Sequence, residues 1–251
     1  MTESIGQGEA RTRLAWIAGV GASAGLGAAL ARRFARERFS VAVTGRSRER
    51  LDALVDEIRA TGAHALAYPG DVTSESDLAA IAKQLAATGT LEVAIFNAAS
   101  GIRVPTLELT AEQFEAAWRV TTLGGFLFAR AALSPLLAAG RGSLLFTGAT
   151  ASLRGRPPFA AFASAKAALR SLAQSLAREF GPKNIHVAHV VIDGGIDGER
   201  LRTSAPQRVA DSGPDGLLNP DDIAEAYWHL HLQRRSAWSQ EIDLRPFSES
   251  F

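Results

Sequence analysis

The chain contains no cysteine, which excludes disulfides and thiolate chemistry. Its five histidines are scattered without HExxH-like spacing, so nothing reads as a zinc site. It has no surplus of charge: 27 basic against 26 acidic residues leave a net +1. Neither nucleic acid nor an anionic membrane is therefore expected as a partner. The opening MTESIGQGEARTR has no apolar signal core and reads as a flexible tail over residues 1–12. Long apolar runs are also scarce. The uncharged stretch from Leu14 to Ala31 nears the length of a membrane span, but Gly19, Gly21, Gly25 and Gly27 interrupt it. No membrane association is expected, and the chain reads as cytoplasmic.

Apolar residues make up 47% of the 251 residues, enough for the core of one large domain. Short apolar runs alternate with longer helical patterns. Strands are expected at Leu14–Ala18, Ser40–Thr44, Ala63–Tyr68, Val93–Phe96, Ser143–Phe146, His186–Ile192 and Glu241–Leu244. Helices are expected to start near Gly25, Arg48, Ser74, Thr110, Pro158 and Pro220. Thr110 stands three residues before Gln113, a capping-box spacing, and Asn219 precedes a proline suited to the first helical position. Repeated strand–helix alternation implies an α/β fold: one doubly wound (Rossmann) parallel sheet of seven strands, flanked by helices on both faces, in a single domain over 13–251. Residues 195–218, rich in Gly, Ser, Pro and charge, read either as a mobile substrate flap or as an ordinary surface loop.

The first strand runs into Gly21-Ala22-Ser23-Ala24-Gly25-Leu26-Gly27 and then a helix. This GxxxGxG spacing differs from GxGxxG but obeys the same physics. Glycines allow a tight turn and close backbone approach to a pyrophosphate, and the helix N-terminus adds unpaired N–H groups and a positive dipole end.

From this turn onward the chain resembles the short-chain dehydrogenase/reductase family, whose usual turn is TGxxxGxG; here Val20 replaces the threonine. Asp71-Val72 resembles the family's adenine-contacting DV. Phe96-Asn97-Ala98-Ala99 resembles its NNAG, with Ala99 for glycine. Val190–Ile196 fits the strand and turn that usually reads PG, here Asp193-Gly194. The resemblance implies a nicotinamide cofactor held by Gly21, Ser23, Gly25, Leu26, Gly27, Asp71, Val72, Asn97, Ala98, Ala99, Lys166 and Ile196.

The second strand ends Thr44-Gly45-Arg46-Ser47. NAD-preferring sites usually carry an acid here to hold the adenosine ribose hydroxyls. Gly45 cannot do so, whereas Arg46, Ser47 and Ser23 can hold a 2′-phosphate, so NADP(H) is the expected cofactor.

The family's usual chemistry uses serine, tyrosine and lysine, with an asparagine behind them. Its YxxxK segment reads Phe162-Ala163-Ser164-Ala165-Lys166 here. Lysine is kept, but Phe162 has no hydroxyl. Ala149 stands at the serine position, flanked by Thr147 and Thr150, and Thr121 takes the asparagine's place. A positioned acid typically contributes ~10²–10⁴ in rate, so another donor is needed. Thr150 is the nearest candidate, and water beside Lys166 is another. Ser164 should point away from the Phe162 face.

The expected activity is an NADP(H)-dependent oxidoreductase that reduces an activated C=C, C=N or C=O bond of a small molecule. Dienoyl-thioester reductases related to the family also lack this tyrosine. The alternative is a non-redox NADP(H)-binding protein: a sensor, scaffold or inactive partner subunit. Arg154, Arg156, Arg200 and Arg202 are compatible with an anionic substrate, but solvated surface arginines explain them better. The segment Pro158–Phe180 is apolar nearly all round at first. With the family resemblance, this implies a homodimer or homotetramer built partly on that helix.

Overall fold

The computed structural model describes residues 11–249, so most of the predicted N-terminal tail lies outside it. Seven strands form one sheet in the order β3-β2-β1-β4-β5-β6-β7. They are β1 (Arg13–Ala18), β2 (Ser40–Gly45), β3 (Ala65–Pro69), β4 (Thr90–Phe96), β5 (Gly142–Thr147), β6 (Ile185–Ile192) and β7 (Glu241–Leu244). Every pairing is parallel. Strands β2 and β6 are buried throughout, which explains why they read as apolar runs without polar alternation. The expected strands are all present, with ends shifted by up to three residues.

Helices α1 (Leu26–Arg36), α2 (Arg48–Ala60) and α9 (Pro220–Leu232) cover one face. There Phe34, Phe39, Leu51, Tyr227 and Trp228 pack on Ile17, Val43 and Val190. Helices α3 (Glu75–Thr88), α5 (Gly124–Ala139) and α6 (Ala160–Phe180) cover the other. Here Trp16, Phe96, Phe128 and Phe146 form an aromatic layer with Leu169. Ser47, Ser74, Thr110 and Asn219 cap their helices as N-terminal residues should. Thr110 and Gln113 form the anticipated capping box.

Two features depart from expectation. The helix entered at Thr110, α4 (Ala111–Trp118), does not end where its pattern fades. It passes through a π-helical segment, Arg119–Leu123, directly into α5. The stretch Ala111–Ala139 has the length and apolarity of a membrane span, but half of its apolar window is buried in the protein, and α5 packs on β4 and β5. It is a core helix. Leu14–Ala31, by contrast, is β1, the glycine turn and the start of α1. In the predicted irregular segment 195–218, two short helices form, α7 (Glu199–Ser204) and α8 (Pro206–Asp211).

The order of strands reverses between β1 and β4. In open α/β sheets, ligands bind outside the carboxyl ends of the strands at such a switch point.

Candidate active site

The glycine turn sits at that switch point. A Cβ on Gly27 would lie 3.0 Å from the Gly19 carbonyl oxygen and from Val20 Cα, so glycine is what lets α1 start against the turn. A Cβ on Gly21 would meet nothing within 4 Å; space above the turn is open. Asn97 Nδ2 donates to the Gly19 carbonyl at 3.1 Å and ties the end of β4 to the turn. Helix α1 begins after Gly25 with no side-chain cap, leaving its first N–H groups and dipole for an anion.

At the end of β2, a Cβ on Gly45 would collide with the Val20 carbonyl oxygen. The missing acid therefore has a steric cause, because the glycine turn passes too close for any side chain. Arg46 is exposed, with no ion-pair partner among the described residues. Ser47 caps α2, its Oγ accepting from Arg50 N at 3.3 Å. Ser23 is engaged elsewhere: Arg32, paired with Glu57, donates to its Oγ at 2.6 Å. The Asp71 carboxylate folds back on its own turn, accepting from Thr73 N and Oγ1, while Val72 is buried against Gly124. Ala98 packs on Gly19, Ala99 is half-buried, and Ile196 bridges to Leu218.

Lys166 is buried on the α6 face toward the sheet, and its Nζ donates to the Thr147 carbonyl at 2.6 Å. Burial, and then the positive charge of Arg200, push its ammonium down to about 7. Phe162, one turn earlier, is half-buried with its ring centroid 6.0 Å from Nζ. Phe159 packs beside it at 6.3 Å. Ser164 is exposed and bonds back to the Ala161 carbonyl, away from this face as expected. Thr121 is buried in the π-helical segment, where its Oγ1 accepts from Ser100 N at 3.3 Å. It pins the loop after β4. Neither of the two tyrosines supplies the missing hydroxyl. Tyr227 is buried on the opposite face of the sheet, bonded to Thr147 Oγ1 at 2.7 Å, and burial raises its phenol far above the usual range. Tyr68 lies on the edge strand β3.

Thr150 opens a short 3₁₀ turn after β5. Its hydroxyl donates to Asp193 Oδ1 at 2.6 Å. The Asp193 side chain is 2% exposed and lies 3.8 Å from Arg154 and 3.6 Å from Arg245. The sequence reading missed this cluster. In the sequence Asp193 stands only as a replacement for the proline of the PG turn, because its partners come from the segment after β5 and from the C-terminal segment.

A parallel sheet, an uncapped helix behind a glycine turn at the switch point, and a buried lysine at the carboxyl edge together define a Rossmann-type dinucleotide-binding protein. The residues fit such a group: Gly21 leaves room for a pyrophosphate, α1 offers free N–H donors, and Lys166 offers a cationic donor. The short chain dehydrogenase family model matches residues 15–208. The A-factor type gamma-butyrolactone 1'-reductase (1S-forming) of Streptomyces virginiae is 35% identical over 239 residues, covering 94% of this chain and 87% of that protein. An oxidoreductase of Sarocladium schorii is 34% identical over 169 residues, 66% of each chain. Among solved structures, a short-chain dehydrogenase from Rhodopseudomonas palustris superposes with TM-score 0.80 at 40% identity, over 94% of this chain and 99% of that one. A metagenomic short-chain oxidoreductase in complex with NADP gives TM-score 0.79 at 28% identity, over 93% and 96%. The chain belongs to the short-chain dehydrogenase family, a family of oxidoreductases.

Proposed function

We propose that the chain is an NADP(H)-dependent oxidoreductase that reduces an activated C=C, C=N or C=O bond of a small molecule without a tyrosine acid. The observation that carries this reading is the pairing of Lys166 with Phe162. The buried cation is in place, and the ring 6.0 Å away has no exchangeable proton. Gly45 and the exposed Arg46 support NADP(H) over NAD(H), and a structural relative was solved with NADP.

When bound, the cofactor supplies hydride. The glycine turn and the N-terminus of α1 would hold its pyrophosphate, Arg46 its 2′-phosphate, and Lys166 its nicotinamide ribose. Phe159 and Phe162 give the cleft an apolar wall. Lys166 and Arg200 bring positive charge to the same place. Positive charge stabilises the negative charge that builds on a carbonyl oxygen when hydride adds to a conjugated alkene, and it opposes a cationic iminium. The same charge would also stabilise the alkoxide of ketone reduction, but that oxygen needs the proton the missing tyrosine would give, whereas an enolate can wait for its proton. A conjugated C=C bond is therefore the preferred substrate type. Its enolate carbon takes a proton from water after the hydride step. Lys166, an acid near neutral pH, can resupply that water.

NADPH consumption across matched ketones, enones and imines tests the proposal. Enones should be consumed fastest. Consumption of none would overturn the redox reading in favour of a cofactor-binding sensor, scaffold or inactive partner subunit, and faster ketone reduction would overturn the preference for conjugation.

We extend the proposal to a homodimer or homotetramer. The outward side of α6 exposes small residues, Ser164, Ala167, Ser171 and Ser175, and the adjoining α4 and α5 expose Phe114, Trp118 and Phe126. Light scattering near 26.5 kDa would show a monomer and overturn it.

A further inference from the structure

We propose that the substrate carries a carboxylate, and that Arg200 on α7 is the residue that recognises it. This inference rests on the cleft being a substrate site, as proposed above, and adds the chemical class of the ligand.

Arg200 Nη2 donates to the Gly101 carbonyl at 3.0 Å, so its side chain spans from α7 to the loop after β4. The guanidinium lies flush on Gly101, where a Cβ would collide with it. That loop follows Ala99 directly and is pinned by Thr121 through Ser100. The arginine therefore lies at the Lys166 end of the cleft, and its charge is felt by the buried lysine.

Among the described residues the two side chains have no carboxylate counter-ion. Lys166 donates to a neutral carbonyl. Arg200 has no carboxylate partner among the described residues, and the neighbouring acids are engaged elsewhere. Glu199 pairs with Arg50 at 3.2 Å, and Asp197 holds Arg202 in a two-point bond at 2.8 and 3.0 Å. Glu199 and Arg200 are adjacent on α7 and so point about 100° apart. Arg200, exposed on α7 like Glu199, thus reaches away from Arg50 and onto the Gly101 loop. On the rim, Arg103 lies over the Phe159 ring at 5.1 Å, again with no acid among the described residues. Like charges gathered beside one apolar wall favour an anion among them. A planar carboxylate is the group the arginine fork matches in two-point geometry.

The phosphates of the cofactor are the competing occupant. They belong at the glycine turn, where Gly198 rather than Arg200 abuts the Ala24 carbonyl. The position of Arg200 on Gly101 favours the substrate instead.

The test titrates the NADP⁺-bound protein calorimetrically with (E)-4-oxo-2-pentenoate and with its methyl ester. The acid should bind about tenfold tighter or more, and the difference should shrink with salt. Arg200→Gln should abolish the preference while leaving ester and NADP⁺ affinities unchanged. Arg178→Gln, at the far end of α6, should keep it. Equal binding of acid and ester, no measurable binding of the acid, or a preference that survives Arg200→Gln would each overturn the proposal. Loss of NADP⁺ affinity in Arg200→Gln would assign the arginine to the cofactor and overturn it too. Because binding is read without turnover, acid binding without NADPH consumption would sink the redox reading and leave this one standing.

Discussion

The Thr150 hydroxyl donates to Asp193 Oδ1 at 2.6 Å, joining residues 43 positions apart. A hydroxyl whose proton points at a buried carboxylate presents only lone pairs to a substrate. Thr150 is thus held in place as a structural donor and is a poor proton source. Thr150→Val should cost ~1–3 kcal/mol of stability by leaving Asp193 short of a donor. It should lower NADPH oxidation by less than about tenfold, whereas loss of a true acid costs ~10²–10⁴. Thermal unfolding and steady-state rates on the same variant decide between these roles.

Restoring the hydroxyl should restore the family's usual reaction. In Phe162→Tyr the phenol stands one turn from Lys166, whose charge favours phenolate. This variant should reduce simple ketones faster than the wild type. Ala149→Ser should add more in that background than alone, because groups acting as a unit are non-additive. NADPH oxidation by wild type, both singles and the double measures this. Ketone rates in the wild type equal to those of Phe162→Tyr would show that the missing tyrosine does not redirect the chemistry.

Cofactor choice should follow Arg46. Its charge-assisted bond to a 2′-phosphate is worth ~1.5–3 kcal/mol, or roughly 10- to 100-fold. Arg46→Ala should reduce the preference for NADPH over NADH by about tenfold or more in fluorescence titrations. Equal wild-type affinities would contradict the assignment.

Stability should fall on mild acidification. Burial pushes His189 and His231 down to about 4, below the ordinary 6.5. The unfolded chain therefore takes up protons first as pH drops, and stability is lost between roughly pH 6.5 and 4, at a cost of ~2 kcal/mol per histidine by pH 5. Glu241, held below its usual range by Arg170, adds loss in the same direction at lower pH. The melting temperature should drop between about pH 7 and pH 5, less so in His189→Gln. A flat profile would refute the claim.

Much of this architecture is legible in local sequence because its causes are local. Apolar runs mark buried strands, and Ser74, Thr110 and Asn219 mark helix starts. Helix α5 escaped notice because it has no start. The chain runs from α4 through the π-helical segment Arg119–Leu123 straight into α5, so no cap marks the new helix. Helices α7 and α8 are too short to show periodicity, although Pro206 at the first position of α8 was an available signal. In the site, spacing alone paired Phe162 with Lys166 because both lie on one helix. No spacing rule joins Thr150 to Asp193, or Arg200 to Gly101. Nor could sequence show that Ser23 is engaged by Arg32 and Glu57, since that pair comes from two helices.

The close approach of the Val20 carbonyl to Gly45 also limits redesign. The obvious route to an NADH-using variant is to graft an aspartate onto the end of β2, and here that route is closed. Any side chain at 45 would displace the glycine turn and with it the phosphate site. Retargeting this scaffold would have to work through the exposed positions 46 and 47, keeping a capping side chain at 47 and leaving the turn untouched.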